Sequence, residues 1–347
     1  MISLGLSGLA GDSRILLGGT LESLAGQCEK GRPAVIVTDE NVRRLYAKSF
    51  PPWPVVTIPA GEANKTLRTV SGIYREFLKL NIDRHWLVAG VGGGIVCDVA
   101  GFAASTYLRG LEFGFAATTL LAQVDAALGG KNGVDFLGYK NLVGTFNQPR
   151  FVICDFETLK TLPEKEIRCG LAEIIKSAAI ADAELFSFLE TDIGSCIGLD
   201  RRAVEYAVER SCRVKIGIVG VDEREGGERK KLNFGHTYGH ALEKISRPSH
   251  GEAVSAGMAV AARLSVKRGL LSREDENRLT DLLAAAGLPL AMKVSRARLR
   301  EALLKDKKRK GRRIHFVLLG RLGGAVIEDV DSEEVVEAAG EVSDDLR

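Results

Sequence analysis

The sequence lacks the features that mark exported and membrane-embedded proteins. Its six cysteines are scattered without a CxxC pair, and nothing indicates a secretory context that would need disulfides, so we expect reduced thiols. No stretch approaches the ~20 consecutive apolar residues that span a bilayer. The apolar N-terminus has no basic region followed by an uninterrupted apolar run, as a signal peptide would. These absences predict a cytoplasmic protein with no membrane partner.

A strong excess of one charge is also absent. The chain has 48 basic and 45 acidic side chains, which gives a formal net charge of +3. Because basic and acidic side chains are nearly equal in number, nucleic acid is not expected as the main partner. A basic run, KDKKRKGRR at residues 305–313, is interpreted as an exposed loop. The alternative is a lid that brings a lysine to an anionic substrate.

The length of 347 residues exceeds what a single hydrophobic core usually supports, which predicts two domains. The contents of 45% hydrophobic and 27% charged residues are typical of globular proteins. The residue pattern changes at the segment TLPEKE, which contains Pro163. We therefore predict one domain over residues 1–163 and a second over residues 164–347.

Short β-rich segments alternate with helical patterns in the first domain, with helices expected from Asn41 and over Tyr74–Leu80. Strands that alternate with helices form parallel sheets covered on both faces, so an α/β fold is predicted. Asp39 ends an early strand, where such sheets bind ligands; a helix cap is the alternative. The predicted strands lie in PAVIVTDE, VVTIPAGE, HWLVAGVGGG, FGFAATTLL and FVICDFETL.

A glycine run, Gly90 to Gly94, follows a predicted strand and opens a helical stretch. It departs from the GxGxxG fingerprint, and no acidic residue stands convincingly about twenty positions later, so the dinucleotide signal is weak. Because Gly92, Gly93 and Gly94 lack Cβ atoms, backbone N–H groups at the helix start could still lie against a pyrophosphate. A tight turn without a ligand is the alternative.

The second domain is predicted to be mainly helical from Glu164 to about Lys293. Near the C-terminus, the segments IHFVLLG and GAVIEDV predict a small hairpin, which an acidic helix follows. The predicted fold is thus a parallel-sheet domain followed by a mostly α-helical one.

Three of the five histidines, His236, His240 and His250, lie within fifteen residues. His236 and His240 are four apart and would share a helix face, so spacing alone favours both as metal ligands. Glu173 stands on an otherwise apolar helical segment, where a carboxylate is costly unless paired or bound to metal. Two imidazoles and a carboxylate would leave an open position on a catalytic zinc ion. Taken singly, each histidine is more often a surface or core residue.

Several blocks together resemble the 3-dehydroquinate synthase family of the shikimate pathway. They occur in the family's order from about Asp39 to Lys308. The resemblance implies an NAD-binding α/β domain, a mostly helical domain that binds a divalent metal, and an active site between them. The blocks are GGGIVCDVAGFAASTYLRG, TTLLAQVDAALGGKNGVD, KNLVGTFNQP, LKTLP, GLAEIIK, DERE, NFGHTYGHALE and HGEAVSAGM.

The resemblance also implies roles for individual residues. It assigns Zn²⁺ or Co²⁺ to Glu173, His236 and His250, and it places His240 beside the substrate instead of on the metal. Arg109 is implied to reach the active site of a neighbouring subunit, so a homodimer is expected. NAD contacts are implied for Asp39, Asn41, Glu62, Lys65, Gly92, Gly93, Gly94, Asp98, Thr118, Thr119, Lys131, Lys140 and Thr161. Substrate contacts are implied for Asp125, Lys131, Lys140, Asn141, Lys176, Lys215, Arg229, Asn233, His240 and either Lys307 or Lys308.

The implied reaction converts 3-deoxy-D-arabino-heptulosonate 7-phosphate to 3-dehydroquinate and phosphate. It proceeds through transient oxidation by NAD, phosphate elimination, reduction, ring opening and an intramolecular aldol closure. The chain departs from many family members at Asn132 and in the segment DFLGYKN, where we expect the loop shape to vary and the chemistry to be kept. The alternatives are another sugar-phosphate cyclase, a polyol or glycerol dehydrogenase, and a non-catalytic NAD-sensing protein.

Overall fold

The computed structural model describes residues 1–304, 309–310 and 313–346. The chain divides into two compact units, Met1–Leu162 and Pro163–Arg347. Over the described ranges, no helix is both long enough and apolar enough to cross a membrane.

The first unit contains nine strands and three α-helices among its described residues. Seven strands form one sheet in the order β1-β2-β9-β6-β5-β3-β4, and β7 and β8 form a separate hairpin. The strands are β1 (Ile2–Gly8), β2 (Gly11–Leu17), β3 (Ala34–Asp39), β4 (Val55–Ile58), β5 (Leu87–Gly92), β6 (Glu112–Ala117), β7 (Lys131–Phe136), β8 (Tyr139–Phe146) and β9 (Phe151–Cys154). The helices are α1 (Glu40–Tyr46), α2 (Leu67–Lys79) and α3 (Gly94–Thr106).

The predicted parallel sheet is confirmed from β2 to β4, where every neighbouring pair runs parallel. Strands β1 and β2 lie outside the five predicted strand segments, and β1 pairs antiparallel with β2 at the edge of the sheet. The core lies in the central strands, where Ile36, Ala89 and Ile153 are fully buried. Continuous apolar runs of this kind are typical of parallel strands covered on both faces.

The β7–β8 hairpin was expected as a loop. Gly129 and Gly130 turn the chain with φ angles of +90° and +71°, and β7 then begins at Lys131. The buried amide of Asn132 donates to the carbonyls of Gly130, at 3.0 Å, and of Asn147, at 2.9 Å. The Asn132 amide therefore connects the residues that precede and follow the hairpin, and these two hydrogen bonds hold its ends together.

The second unit is mostly helical, as predicted. Its helices are α4 (Glu164–Ala181), α5 (Ala183–Ile197), α6 (Arg201–Val221), α7 (His236–Ser246), α8 (His250–Lys267), α9 (Arg273–Ala285), α10 (Arg296–Leu304) and α11 (Ser332–Asp345). The predicted hairpin is confirmed as β11 (Arg313–Arg321) paired antiparallel with β12 (Gly324–Asp331), with the short β10 (Arg309–Lys310) on the other side of β11.

Side-chain caps set where the helices of this unit begin. Asp182 accepts from the Leu185 N–H at 2.9 Å at the start of α5. At the start of α8, Ser249 and Glu252 form a capping box, in which the Ser249 N–H donates to Glu252 at 2.7 Å. Such reciprocal bonds satisfy backbone N–H groups that have no partner within the helix. Helix α8 therefore begins at a defined residue, His250.

Helix α3 approaches the β7–β8 hairpin so closely that only glycine fits at position 101. A Cβ there would lie 2.0 Å from Asn132 Oδ1 and 3.0 Å from the ring of Phe115. We predict that Gly101→Ala lowers the free energy of unfolding by about 1–3 kcal/mol, because the core must be displaced.

Gly72→Ala in α2 is the matched control, since a Cβ there meets no atom within 4 Å. It should raise stability by about 0.5–1 kcal/mol, because alanine has less conformational freedom to lose than glycine in a helix. Urea unfolding of both variants measures the difference. An unfolding free energy for Gly101→Ala equal to the parent's would contradict the close approach.

Candidate metal centre and nucleotide-binding turn

Glu173, His236 and His250 come together in the second unit although they belong to three helices. Among the residues that the structure describes, they form a group whose potential ligand atoms all lie within 4.8 Å of one another. Glu173 Oε1 lies 3.2 Å from His250 Nε2 and 3.5 Å from His236 Nε2. A carboxylate and two imidazole nitrogens that face one point match the ligand set of a catalytic divalent metal.

Close packing of α7 against α8 brings the two histidines together. A Cβ at Gly257 would lie 1.8 Å from the carbonyl oxygen of Gly235, and a Cβ at Gly239 would lie 2.9 Å from that of Ala253. The helices can therefore pack at this distance only with glycine at these positions. His236 is the first residue of α7 and His250 the first of α8, so this packing places both rings beside Glu173.

Each imidazole is held through its second ring nitrogen. His236 Nδ1 lies 3.1 Å from the carbonyl oxygen of Phe234, and His250 Nδ1 lies 3.2 Å from Oε1 of the buried Glu243. A hydrogen bond at Nδ1 fixes the ring orientation and leaves Nε2 for a metal. Sequence analysis missed Glu243, although it lies seven residues after His236 in NFGHTYGHALE and thus on the same face of a helix.

The Glu173 carboxyl is ionised despite its burial. Glu173 and Lys176 form an ion pair, and their side chains are only 1% and 2% exposed. Burial alone would raise the pKa of Glu173, but Lys176 and the two nearby imidazoles hold it well below its ordinary value. The apolar segment that contains Glu173 therefore tolerates a carboxylate because a cation accompanies it.

The pKa values of the two histidines shift in opposite directions. Burial lowers the pKa of His236 to about 3, so its ring is neutral at neutral pH. Burial would also lower the pKa of His250, but hydrogen bonds to Glu173 and Glu243 raise it to about 9. Without a metal, a proton on His250 thus balances two buried carboxylates. A site that draws positive charge to this point suits a divalent cation, which would displace that proton.

His240 lies one turn after His236, and the two ring centroids are 5.5 Å apart. The group of converging ligand atoms contains His250 and not His240. The structure therefore brings together the set that the family resemblance implies, rather than the pair that helical spacing alone favours. Spacing reports only which residues share a face, whereas His250 reaches the site from the start of the next helix.

Buried cationic side chains accompany the metal group in this unit. Lys176, Lys215 and Arg229 are 1%, 6% and 2% exposed. Burial of a cation is costly unless anionic or hydrogen-bonding groups surround it. Several such side chains in one unit are typical of a site for an anionic ligand.

The segment between α6 and α7 holds Arg229 and another predicted substrate residue, Asn233. Asp222 accepts from the Arg229 N–H at 3.0 Å, and Glu225 accepts from Asn233 Nδ2 at 2.5 Å. The carbonyl of Glu223 accepts from the Arg229 guanidinium. The block DERE thus supplies the groups that orient Arg229 and Asn233, which the residue pattern alone does not predict.

In the first unit, the glycine turn joins β5 to α3 as predicted. A Cβ at Gly92 would lie 2.5 Å from Val96, one at Gly93 2.9 Å from Thr119, and one at Gly94 2.9 Å from Ala126. Packing alone thus accounts for the three glycines. The start of the 13-residue helix α3 still offers backbone N–H groups that suit a phosphate.

Other predicted NAD residues have structural partners of their own. Asp39 caps α1 by accepting from the Val42 N–H at 2.9 Å. The buried Lys65 pairs with Asp98; burial opposes its charge, but Asp98 raises the pKa of Lys65 above its ordinary value. Asn41, Glu62 and Thr161 are exposed, Thr118 is buried and Thr119 half-buried.

The predicted residues of the hairpin region lie at its surface. Lys131, Lys140 and Asn141 are exposed, and Lys140 Nζ lies 3.6 Å from Glu62 Oε1. Asn141 has a φ angle of +50°, and its N–H donates to Asp135 at 2.8 Å. Asp125 lies in the helical turn Ala122–Ala126, and Arg109 is exposed with a φ angle of +69°. Lys307 and Lys308, the alternative substrate lysines, lie outside the described residues.

A parallel α/β unit and a helical unit with a converging carboxylate and two imidazoles are typical of a metal-dependent enzyme. The family model described as 3-dehydroquinate synthase N-terminal matches residues 55–169, and the one described as 3-dehydroquinate synthase C-terminal matches residues 170–309. A curated 3-dehydroquinate synthase from Pelobacter propionicus is 40% identical over 93% of this chain and 94% of its own length. The chain belongs to the 3-dehydroquinate synthase family.

Two solved structures share the whole fold. The 2-epi-5-epi-valiolone synthase of Streptomyces hygroscopicus, with NAD⁺ and Zn²⁺ bound, has a TM-score of 0.88 and 28% identity and covers 95% of this chain and 96% of its own. A 2-deoxy-scyllo-inosose synthase complexed with carbaglucose-6-phosphate, NAD⁺ and Co²⁺ has a TM-score of 0.89 and 25% identity and covers 98% and 100%. The predictions of the family, the dehydroquinate synthase-like fold and the 3-dehydroquinate synthase function are confirmed.

The geometry predicts different effects for His250 and His240. His250→Ala should retain less than about one-tenth of the bound Zn²⁺ of the parent, because it removes one of three converging ligands. His240→Ala should keep its metal. Elemental analysis after dialysis against a weak chelator measures both. Equal loss of metal from the two variants would instead favour the pair chosen by helical spacing.

Proposed function

We propose that this chain converts 3-deoxy-D-arabino-heptulosonate 7-phosphate to 3-dehydroquinate and inorganic phosphate, as a carbon–oxygen lyase that closes a carbon ring. The observation that carries the proposal is the combination, within the helical unit, of Glu173, His236 and His250 with buried lysine and arginine side chains. The substrate has a carboxylate, a phosphate and several hydroxyls. Such a molecule needs both a metal for its hydroxyls and cations for its anionic groups.

Glu173, His236 and His250 are proposed to hold Zn²⁺ or Co²⁺. The start of α3 at Gly92, Gly93 and Gly94, together with the other NAD residues predicted above, is proposed to hold NAD. When bound, the metal would acidify a substrate hydroxyl and NAD would accept and return a hydride. The bound ligands of the two solved relatives support these cofactors.

The chain's own cations are proposed to bind the substrate's anionic groups. Arg229 presents a planar guanidinium, which suits bidentate contact with a carboxylate or phosphate, whereas lysines present point charges. The Glu223 carbonyl accepts from the Arg229 guanidinium and orients it, and Asp222 accepts from the backbone N–H of the same residue. A pre-oriented donor loses little entropy when the substrate binds.

Asn233 and His240 are proposed to contact substrate hydroxyls. Glu225 accepts from Asn233 Nδ2 at 2.5 Å, which fixes the amide and leaves its oxygen able to accept from a hydroxyl. No side chain is assigned as the base for phosphate elimination, because the leaving phosphate can itself accept the proton.

The nearest alternative is another sugar-phosphate cyclase, since both solved relatives close other rings. The 40% identity to a curated 3-dehydroquinate synthase over 93% of the chain favours the heptulosonate phosphate. A polyol dehydrogenase is less well supported, because it would not need so many buried cations in the unit that contains the metal group.

Redox balance separates a cyclase from a dehydrogenase. With the heptulosonate phosphate, Zn²⁺ and substoichiometric NAD⁺, the phosphate released should exceed the NAD⁺ many times over, because the reaction regenerates its cofactor. Absorbance of reduced nicotinamide should not accumulate. Stoichiometric accumulation of NADH would assign the chain to the dehydrogenases, and an inert mixture would favour a cyclase with a different substrate.

We further propose that the chain acts as a homodimer in which Arg109 completes the partner's active site. The backbone conformation at Arg109 supports this proposal, since Leu108 and Arg109 have φ angles of +49° and +69°. Such backbone costs energy for residues other than glycine and persists where the surroundings require it. Arg109 is exposed at this turn, where it can meet a second chain.

Mixed dimers test whether Arg109 acts on the partner's site. Lys131→Ala and Arg109→Ala should each lower kcat/KM by about 10²-fold or more, because each removes a charged contact that positions the substrate. The two variant chains are co-expressed with different affinity tags, and the mixed dimer is purified through both tags. It should recover about half of the parent's activity, since one of its two sites is intact.

Arg109 acting within its own chain would leave both sites of the mixed dimer impaired, and the activity would stay low. Failure of the two tags to co-purify would contradict the dimer itself. A kcat/KM of Lys131→Ala within about threefold of the parent would show that Lys131 is a solvated surface residue.

A further inference from the structure

Glu243 is a buried carboxylate that is neither one of the converging metal ligands nor one of the proposed substrate contacts. Its side chain is 5% exposed, and its Oε1 lies 3.2 Å from His250 Nδ1. On α7 it follows His236 by seven residues and His240 by three, so the three side chains lie on one face of the helix. A carboxylate is buried at this cost only where a charged or hydrogen-bonded partner compensates it. For Glu243 that partner includes His250.

We propose that Glu243 is a positioning residue of the metal centre: by accepting from His250 Nδ1, it turns Nε2 toward Glu173 and strengthens His250 as a metal ligand. The proposal rests on the metal site proposed above and goes beyond it, because Glu243 touches neither metal nor substrate. Carboxylates that accept from the second nitrogen of a ligating imidazole fix its tautomer and raise its basicity.

The two histidines differ in what holds them. His236 Nδ1 is anchored by the backbone carbonyl of Phe234. This carbonyl carries no charge, and it stays in place when the Phe234 side chain is replaced. His250 Nδ1 is anchored by a side chain from another helix. His250 is also the first residue of α8, and its side chain is 29% exposed. The centre should therefore depend on Glu243 for His250 and on backbone alone for His236.

The test measures Zn²⁺ affinity of the metal-free protein by competition with a chromogenic chelator, without NAD or substrate. Glu243→Ala should bind Zn²⁺ about 10–100-fold more weakly than the parent. Glu243→Gln keeps an oxygen acceptor at the same reach but loses the charge, so it should bind about fivefold more weakly or worse. A parent-like affinity of Glu243→Gln would overturn the role of the charge, and a parent-like affinity of both variants would overturn the proposal.

Glu252→Gln is the matched control. Glu252 also stands in the first turn of α8, but it bonds the backbone and side chain of Ser249 and not His250. Its variant should keep Zn²⁺ affinity within about threefold of the parent. Equal weakening by Glu252→Gln and Glu243→Gln would mean that the position of the helix start, and not the carboxylate–imidazole contact, controls binding.

Two further measurements keep the outcomes separate. If Glu243→Ala does not fold, as judged by circular dichroism, Glu243→Gln alone decides. If the parent binds no Zn²⁺, or His250→Ala binds it as the parent does, then the proposed metal site fails. If the parent binds Zn²⁺ through His250 and both Glu243 variants bind it equally well, the metal site stands and only the positioning role of Glu243 is contradicted.

Discussion

The helical unit depends on one packing constraint, the close approach of α7 and α8. Backbone of one helix lies where a side chain on the other would be, with 1.8 Å between a Cβ at Gly257 and the Gly235 carbonyl oxygen. Interiors are packed too densely to absorb such a clash without displacement. Because His236 and His250 are the first residues of these helices, any increase in the helix separation would move the two rings apart and away from Glu173.

Charge balance is the second constraint on this centre. Glu173 and Glu243 are both buried, and His250 lies between them at 3.2 Å from each. Lys176 offsets part of this negative charge through its ion pair with Glu173. The remaining need for positive charge is met by a proton on His250 or, in the proposed holoenzyme, by a divalent cation. The same electrostatics thus explain why the centre suits a divalent cation.

The α/β unit shows how one feature can satisfy both packing and binding. The glycines of the β5–α3 turn are required by contacts with Val96, Thr119 and Ala126, yet they also leave the start of α3 free of side chains. Asp39 likewise caps α1 at the end of a strand where ligands bind in such folds. A structural role and a proposed role in binding NAD are therefore compatible at these positions.

The class of fold could be predicted from the amino-acid sequence, because the alternation of strands and helices and the change to helical periodicity near Pro163 are local patterns. The sequence also identified the family, through blocks in a fixed order, and it indicated a metal through clustered histidines. It did not reveal the antiparallel β1 or the β7–β8 hairpin, whose pairing depends on distant partners such as Asn147 for Asn132. Helical periodicity alone favoured His236 and His240 as the two metal ligands, because it describes only one helix at a time. The family resemblance grouped His250 with Glu173, but only the tertiary structure showed that their side chains meet and gave Glu243 a partner. Contacts between helices depend on how closely their backbones pack.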